Sequence, residues 1–213
     1  MKTDELINAL VADSTAAAPS PINRTVWLAA GLAVLVAGVV FFASLPLRDD
    51  IAVALTTPRF LFKWIFTLSL GVSALAAATY LMRPAGAQKS ALMLLMVAPA
   101  VLLVGATLEL FALPAEQWVS TMVGLNSHGC LVTIPFLALG PLAVIIMSLR
   151  QGAPTRPALA GAVAGLAATG IAATYYAMYC RDDSPLFLAV WYILSALLVA
   201  AIGALAGSRL LRW

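Results

Sequence analysis

Charge is what this sequence has least of. Lysine, arginine, aspartate and glutamate together make up 10% of its residues, against about a quarter in soluble domains. Histidine occurs once and cysteine twice, too few to define a tetrahedral zinc site. HExxH, GxSxG, a Walker loop and paired intramembrane aspartates are all absent, so the common hydrolytic and nucleotide-driven chemistries have no foothold. The net charge of +3 forms no basic stripe, so direct contact with nucleic acid is not expected. The opening residues carry acids where a secretory signal wants bases, and no cleavable leader is expected.

What is present is apolar. Hydrophobic residues make up 63% of the 213, with a mean hydropathy of +1.01, and a water-soluble core cannot hide that much apolar surface at this length. Six runs are long enough to cross a hydrocarbon layer as helices, at approximately 26–47, 60–82, 91–113, 131–149, 157–178 and 186–207. Helix is required because lipid offers no partner to an unpaired backbone amide. The expected fold is therefore all-α: a polytopic membrane protein of six transmembrane helices, with residues 1–25 as a separate N-terminal segment and 26–213 as the membrane domain. No internal repeat is visible, which counts against a transporter built on inverted halves.

Orientation follows from the basic residues. With the N-terminus in the cytoplasm, the inner segments hold Lys2, Arg24, Arg83, Lys89, Arg150, Arg156, Arg209 and Arg212. The outer ones hold Arg48, Arg59, Lys63 and Arg181, so eight bases lie inside against four outside. Both termini are then cytoplasmic. Lys63 is expected to snorkel, and Glu109, the one acid within a span, to reach the headgroups from near Pro114. Pro99, Pro135 and Pro141 are expected to kink their helices. Gly161-x-x-x-Gly165 and Gly203-x-x-x-Gly207 are expected to let helices approach closely inside the bundle, with a homodimer seam as the alternative.

Two features outside the spans carry chemistry. In the N-terminal segment Leu6, Ile7, Leu10 and Val11 fall on one face of a short helix. Thr3 is placed to cap it, and Asp4 and Glu5 favour the positive end of its dipole. Such a helix is marginal alone, and its acids argue against a membrane surface. A flexible Ser14–Pro21 tether follows, so the pattern fits helix-in-groove recognition of a partner protein, or a disordered leader. The second feature is Cys130, at the outer start of the fourth span, with Cys180, after the outer end of the fifth. On one oxidising face they can form a disulfide, or, with His128 nearby, ligate a soft metal. Otherwise they are small buried hydrophobes.

The residues also resemble a family. Met1-Lys-Thr-Asp-Glu-Leu-Ile-x-x-Leu-Val-x-Asp is similar to the start of NrsF-type membrane proteins of proteobacteria, anti-sigma factors of an extracytoplasmic-function (ECF) sigma factor of the SigF group. Gly129-Cys-Leu, the Leu149–Gly161 loop, Tyr179-Cys-Arg-Asp-Asp-Ser-Pro-Leu-Phe-Leu-Ala-Val-Trp-Tyr and Ser208-Arg-Leu-Leu-Arg-Trp resemble the family's later motifs. The family more often has His before the second cysteine, so Tyr179 weakens a His-Cys ligand pair.

The resemblance implies a non-enzymatic protein of the bacterial inner membrane that holds a sigma factor away from RNA polymerase. Cys130 and Cys180 would sense heavy metal or oxidant, and no resident cofactor is implied beyond transient metal at those thiols, with His128 a further candidate ligand. Asp4, Glu5 and Asp13 would meet basic sigma surface around the apolar anchors Leu6, Ile7, Leu10 and Val11. The competing reading is a membrane thiol-disulfide oxidoreductase or small-solute transporter using the same cysteines. It lacks the close CxxC pair usual in redox enzymes.

Overall fold

The computed structural model describes Thr3, Glu5 and residues 22–82 and 88–211, and among these residues there is helix and turn but no strand. Six helices are long and apolar enough to cross a membrane. They are α1 (Ile22–Ser44), α2 (Pro58–Leu81), α3 (Lys89–Ala112), α4 (Ser127–Leu149), α5 (Pro157–Tyr176) and α6 (Pro185–Leu210).

Prolines set many of the boundaries. α2, α5 and α6 each begin on one, where a missing N–H costs nothing and φ is already helical. α1 stops at Ser44, short of the expected 47, because Pro46 pushes its predecessor out of helical geometry. Pro99 offers no N–H to the carbonyl of Leu95, and α3 breaks there into Gln88–Leu95 and Val97–Ala112. α4 runs through Pro135 and Pro141 without such a break. It starts at Ser127, four residues before the expected boundary, and α6 extends to Leu210 rather than 207.

α5 is the axis of the bundle. Two thirds of its span (67%) is buried, against 22% for α3 at the periphery, and it packs against α1, α2, α4 and α6. Its alanines and glycines make this possible by letting backbones meet. A methyl group on Gly161 or Gly203 would run into the backbone of the facing helix, and the same holds for Gly170 against Gly71. Both GxxxG motifs are thus used between α5 and α6, within one chain. Large side chains such as Leu35, Val39, Leu103, Leu108 and Phe111 point outward, as a lipid-facing surface requires.

α1 packs mainly against α4, and its buried residues Val26, Ala30, Ala33, Ala37 and Phe41 recur at intervals of three to four. It touches α2 only lightly. Between them is an apolar groove of about 480 Å³, lined by Trp27, Gly31, Val34, Trp64, Leu68 and Tyr175 among others.

Candidate functional site

One end of the bundle gathers the charged and thiol groups. The end of α1, the start of α2, the end of α3, the start of α4, the end of α5 and the start of α6 all meet there. Their side chains touch: Arg48 and Lys63 bind Asp183, Arg59 binds Glu109, and Cys130 faces Cys180. The alternating direction of the six helices is therefore legible in these contacts alone.

The segment between α5 and α6 is the centre of the arrangement, and nearly every residue in it has a distant partner. The Cys180 carbonyl accepts from Lys63 Nζ at 2.9 Å and from Arg48 Nη1 at 3.2 Å. Lys63 Nζ also donates to the Asp182 carbonyl and to Asp183 Oδ1, both at 2.9 Å. The Asp182 carboxylate accepts from the Leu125 and Asn126 amides and from Asn126 Nδ2, fixing the turn that precedes α4. Gly124 in that turn has φ +60°, where a side chain would be strained and would meet Phe187. Ser184 Oγ accepts from the Leu186 amide as the cap of α6, and donates to Glu109 Oε1.

Lys63 corrects the expectation of a snorkelling side chain. It is fully buried, and a buried ammonium persists only because one carboxylate and two carbonyls replace its hydration shell. Its Nζ lies 5.8 Å from the Tyr192 ring centroid. Glu109 likewise does not reach for headgroups. It is 7% exposed and pairs with Arg59 Nη2 at 2.8 Å. Arg48, read in the sequence only as an outer base, is 7% exposed and grips Asp50 and Asp183, both at 2.8 Å. This pairing holds the guanidinium well above its usual pKa and lowers the exposed Asp50 to about 2, chiefly by the hydrogen bonds from Arg48.

Beneath this ionic lattice sit the two cysteines. Both are free thiols with no solvent exposure, and their sulphurs are 3.9 Å apart, within hydrogen-bonding reach. They share one end as expected, but in the core instead of on the surface. Cys180 Sγ also lies 3.8 Å from the Asp182 carbonyl. The Cys180 pKa is lowered, first by the hydrogen bond with Cys130, against the opposing effect of burial and with help from the Lys63 charge. Ser195 Oγ bonds the Cys130 carbonyl at 3.1 Å. Tyr176 and Tyr192 are buried alongside, their rings 6.4 Å apart.

His128 lies on the first turn of α4 but is exposed, whereas the thiols two residues away are covered. Among the described residues no three His, Cys, Asp or Glu side chains converge as a metal-holding group. The thiols on their own offer two ligands. In the N-terminal segment Glu5 is helical and exposed. Asp4, Leu6, Ile7, Leu10, Val11 and Asp13 lie outside the described residues.

Residues 10–213 match the family described as negative regulator of sigma F, NrsF. The chain belongs to the NrsF family. It is 35% identical over 214 residues to the anti-sigma-F factor NrsF of Caulobacter vibrioides (strain NA1000 / CB15N), covering 100% of both chains. It is 34% identical over 216 residues, again 100% of both, to the probable anti-sigma-F factor NrsF of Azospira oryzae (strain ATCC BAA-33 / DSM 13638 / PS). No solved structure matches it. Sequence reasoning found the cysteine pair of this NrsF-family chain but missed Arg48, Lys63, Asp183, Tyr176 and Tyr192. Lys63 had a usable signal, since a base inside a span normally has a named partner. The tyrosines had none.

Proposed function

We propose that the chain is an anti-sigma factor that holds an ECF sigma factor of the SigF group at the bacterial inner membrane and releases it under heavy-metal or oxidative stress. Full-length relatedness to proteins named anti-sigma-F factors carries this reading. In it both termini are cytoplasmic, and residues 1 to about 24 form the sigma-binding segment. Leu6, Ile7, Leu10 and Val11 serve as apolar anchors, with Asp4, Glu5 and Asp13 as the charged rim that sets approach and specificity. Cys130 and Cys180 form the extracytoplasmic sensor. Their burial in mutual contact supports that role, because a change at either sulphur is felt directly by packed helices that have no slack to absorb it.

Changing both cysteines to serine and following a sigma-dependent reporter under cadmium or diamide tests the sensor. Induction is expected to be lost, and induction equal to that of the unaltered chain would remove the cysteines from the reading. Leu6→Asp with Leu10→Asp is expected to abolish co-purification of the sigma factor. Retained binding would show that the docking face lies elsewhere.

A further inference from the structure

The anti-sigma reading needs a route from the thiols to the N-terminal segment, and α1 is the helix that this segment enters. Two observations bear on how α1 is held. Along its length its buried face is rich in alanine, and its α2 side borders the open groove, where a side chain added at Gly31 would meet nothing within 4 Å. At the cysteine end, by contrast, it is tied firmly. Phe41 and Tyr175 rings lie 5.8 Å apart, the Arg48 amide donates to the Met178 carbonyl at 3.0 Å, and the Arg48 guanidinium binds both the Cys180 carbonyl and the Asp183 carboxylate. Arg48 thus connects the segment carrying Cys180 to the end of α1. Lys63 makes the equivalent connection to α2, but α2 does not carry the N-terminal segment.

We infer that Arg48 is the positioning residue that couples the state of the Cys130–Cys180 pair to α1, and through α1 to the sigma-binding segment. This rests on the proposed function and adds the transmitting element to it. Cys130 is fixed in the first turns of α4, so covalent closure of a pair now 3.9 Å apart shortens the Sγ–Sγ separation by about 2 Å, and the part not taken up by side-chain rotation displaces the Cys180 segment. The Cys180 carbonyl and the neighbouring Asp183 move with it. Both are ligands of one planar guanidinium, whose fork tolerates little displacement. Arg48 must follow or let go, and either outcome changes how the end of α1 is held.

The test uses full-length protein in membranes with its sigma factor bound and diamide as the oxidant. The two thiols lose two protons and two electrons to form the Sγ–Sγ bond, and the azo group takes them up to become a hydrazine. Three things are read: disulfide formation by thiol trapping, sigma factor retained on the membrane, and hydrogen exchange of the peptide covering residues 45–50. In the unaltered chain, disulfide formation is expected to lower sigma retention about tenfold and to speed exchange in that peptide as the Arg48 amide loses the Met178 carbonyl. In Arg48→Met the disulfide is expected to form to the same extent while sigma retention changes less than about twofold.

Equal release from Arg48→Met and the unaltered chain would overturn the coupling role and leave the anti-sigma reading intact. A disulfide that forms in the unaltered chain with no sigma loss would overturn both. If Arg48→Met does not accumulate, the exchange measurement on the unaltered chain decides alone, and unchanged exchange across residues 45–50 on oxidation overturns the inference.

Discussion

Removing the Lys63 ammonium should open the site, and the size of the effect follows from its three bonds. Lys63→Met keeps an unbranched side chain of similar length but leaves the Cys180 and Asp182 carbonyls without the donor that lies 2.9 Å from each. Asp183 loses one of two cationic partners and keeps Arg48 at 2.8 Å. Breaking a fully buried ion pair costs about 3–5 kcal/mol. Because Asp183 keeps Arg48 and the Cys180 carbonyl keeps its second donor, the lower end applies, about 3 kcal/mol. If that cost falls on the closed state of the segment around Cys180, its open population rises about a hundredfold, at about 1.4 kcal/mol per tenfold. The assay is the rate at which a membrane-impermeant maleimide labels Cys180, compared between Cys130→Ser and Cys130→Ser with Lys63→Met so that a single thiol reports. A rate increase of about a hundredfold is expected. An increase below about threefold would refute the argument, because the ammonium would then be holding nothing that Arg48 does not already hold.

Three further outcomes follow from the same geometry. Asp50 has its pKa lowered from 3.8 to about 2 by Arg48. Its contribution to stability is therefore fully present above about pH 4 and is lost as pH falls towards 2, and Asp50→Asn should flatten this acid limb in thermal melts taken from pH 5 to 2. Cys180 is held below the usual thiol pKa mainly by its hydrogen bond with Cys130, so the pH midpoint of its alkylation by a small neutral reagent that reaches the closed segment should lie below that of a free thiol. In Cys130→Ala, which removes the donor, the midpoint should move upward, and an unmoved midpoint would show that Cys130 does not set it. Gly161→Leu drives a side chain into the backbone of α6, whereas Gly31→Leu fills open groove. Overpacking of the first kind costs about 1–3 kcal/mol or more, so melting in detergent should fall clearly for the former and stay within a few degrees for the latter.

The bundle was more legible in the sequence than the site. Long apolar runs declare spans because the bilayer leaves backbone no alternative to helix, and the six runs correspond to the six helices with ends displaced by a few residues. The displacements have local causes, such as Pro46 ending α1 early. The GxxxG motifs also read correctly as contact surfaces, since small residues admit only close backbones. The site was legible only at its cysteines. Asp183 and Lys63 lie 120 positions apart, and periodicity says nothing about which span end meets which. Arg48 was counted as an outer base by a rule that treats bases as solvated, and its burial is decided by the carboxylate of Asp183 across the bundle. The dense motif from Tyr179 to Tyr192 was visible as a resemblance. Its reason is structural: Asp182, Asp183 and Ser184 each bond a residue on a different element through their side chains, so substituting any of the three removes a tie between elements, while Cys180 adds one through its carbonyl.

That same concentration bears on the competing readings. A solute or proton pathway across the bundle would need polar groups distributed through its depth. Among the described residues, the buried charges are Arg48, Lys63 and Glu109, and all three sit at the cysteine end. Below them the buried hydroxyls of Thr67, Ser73, Thr79, Ser148 and Thr169 donate to carbonyls three or four residues back on their own helices. Apart from the Thr174 hydroxyl, which donates to Thr67 across α5 and α2 at 3.0 Å, they bond only within their own helices and form no chain from one end to the other among the described residues. A thiol-disulfide exchanger would need a sulphur open to a protein substrate, and neither thiol has exposure. What this distribution does favour is rigidity at one end, where the segment Cys180 to Ser184, between α5 and α6, ties down the ends of the other four helices, and a smoother, alanine-lined surface along the rest of α1. A disturbance at the thiols then enters a lattice of charge-assisted bonds that share one guanidinium and one ammonium. α1, open to the groove on one side and carrying the N-terminal segment at its far end, is the helix best placed to carry it.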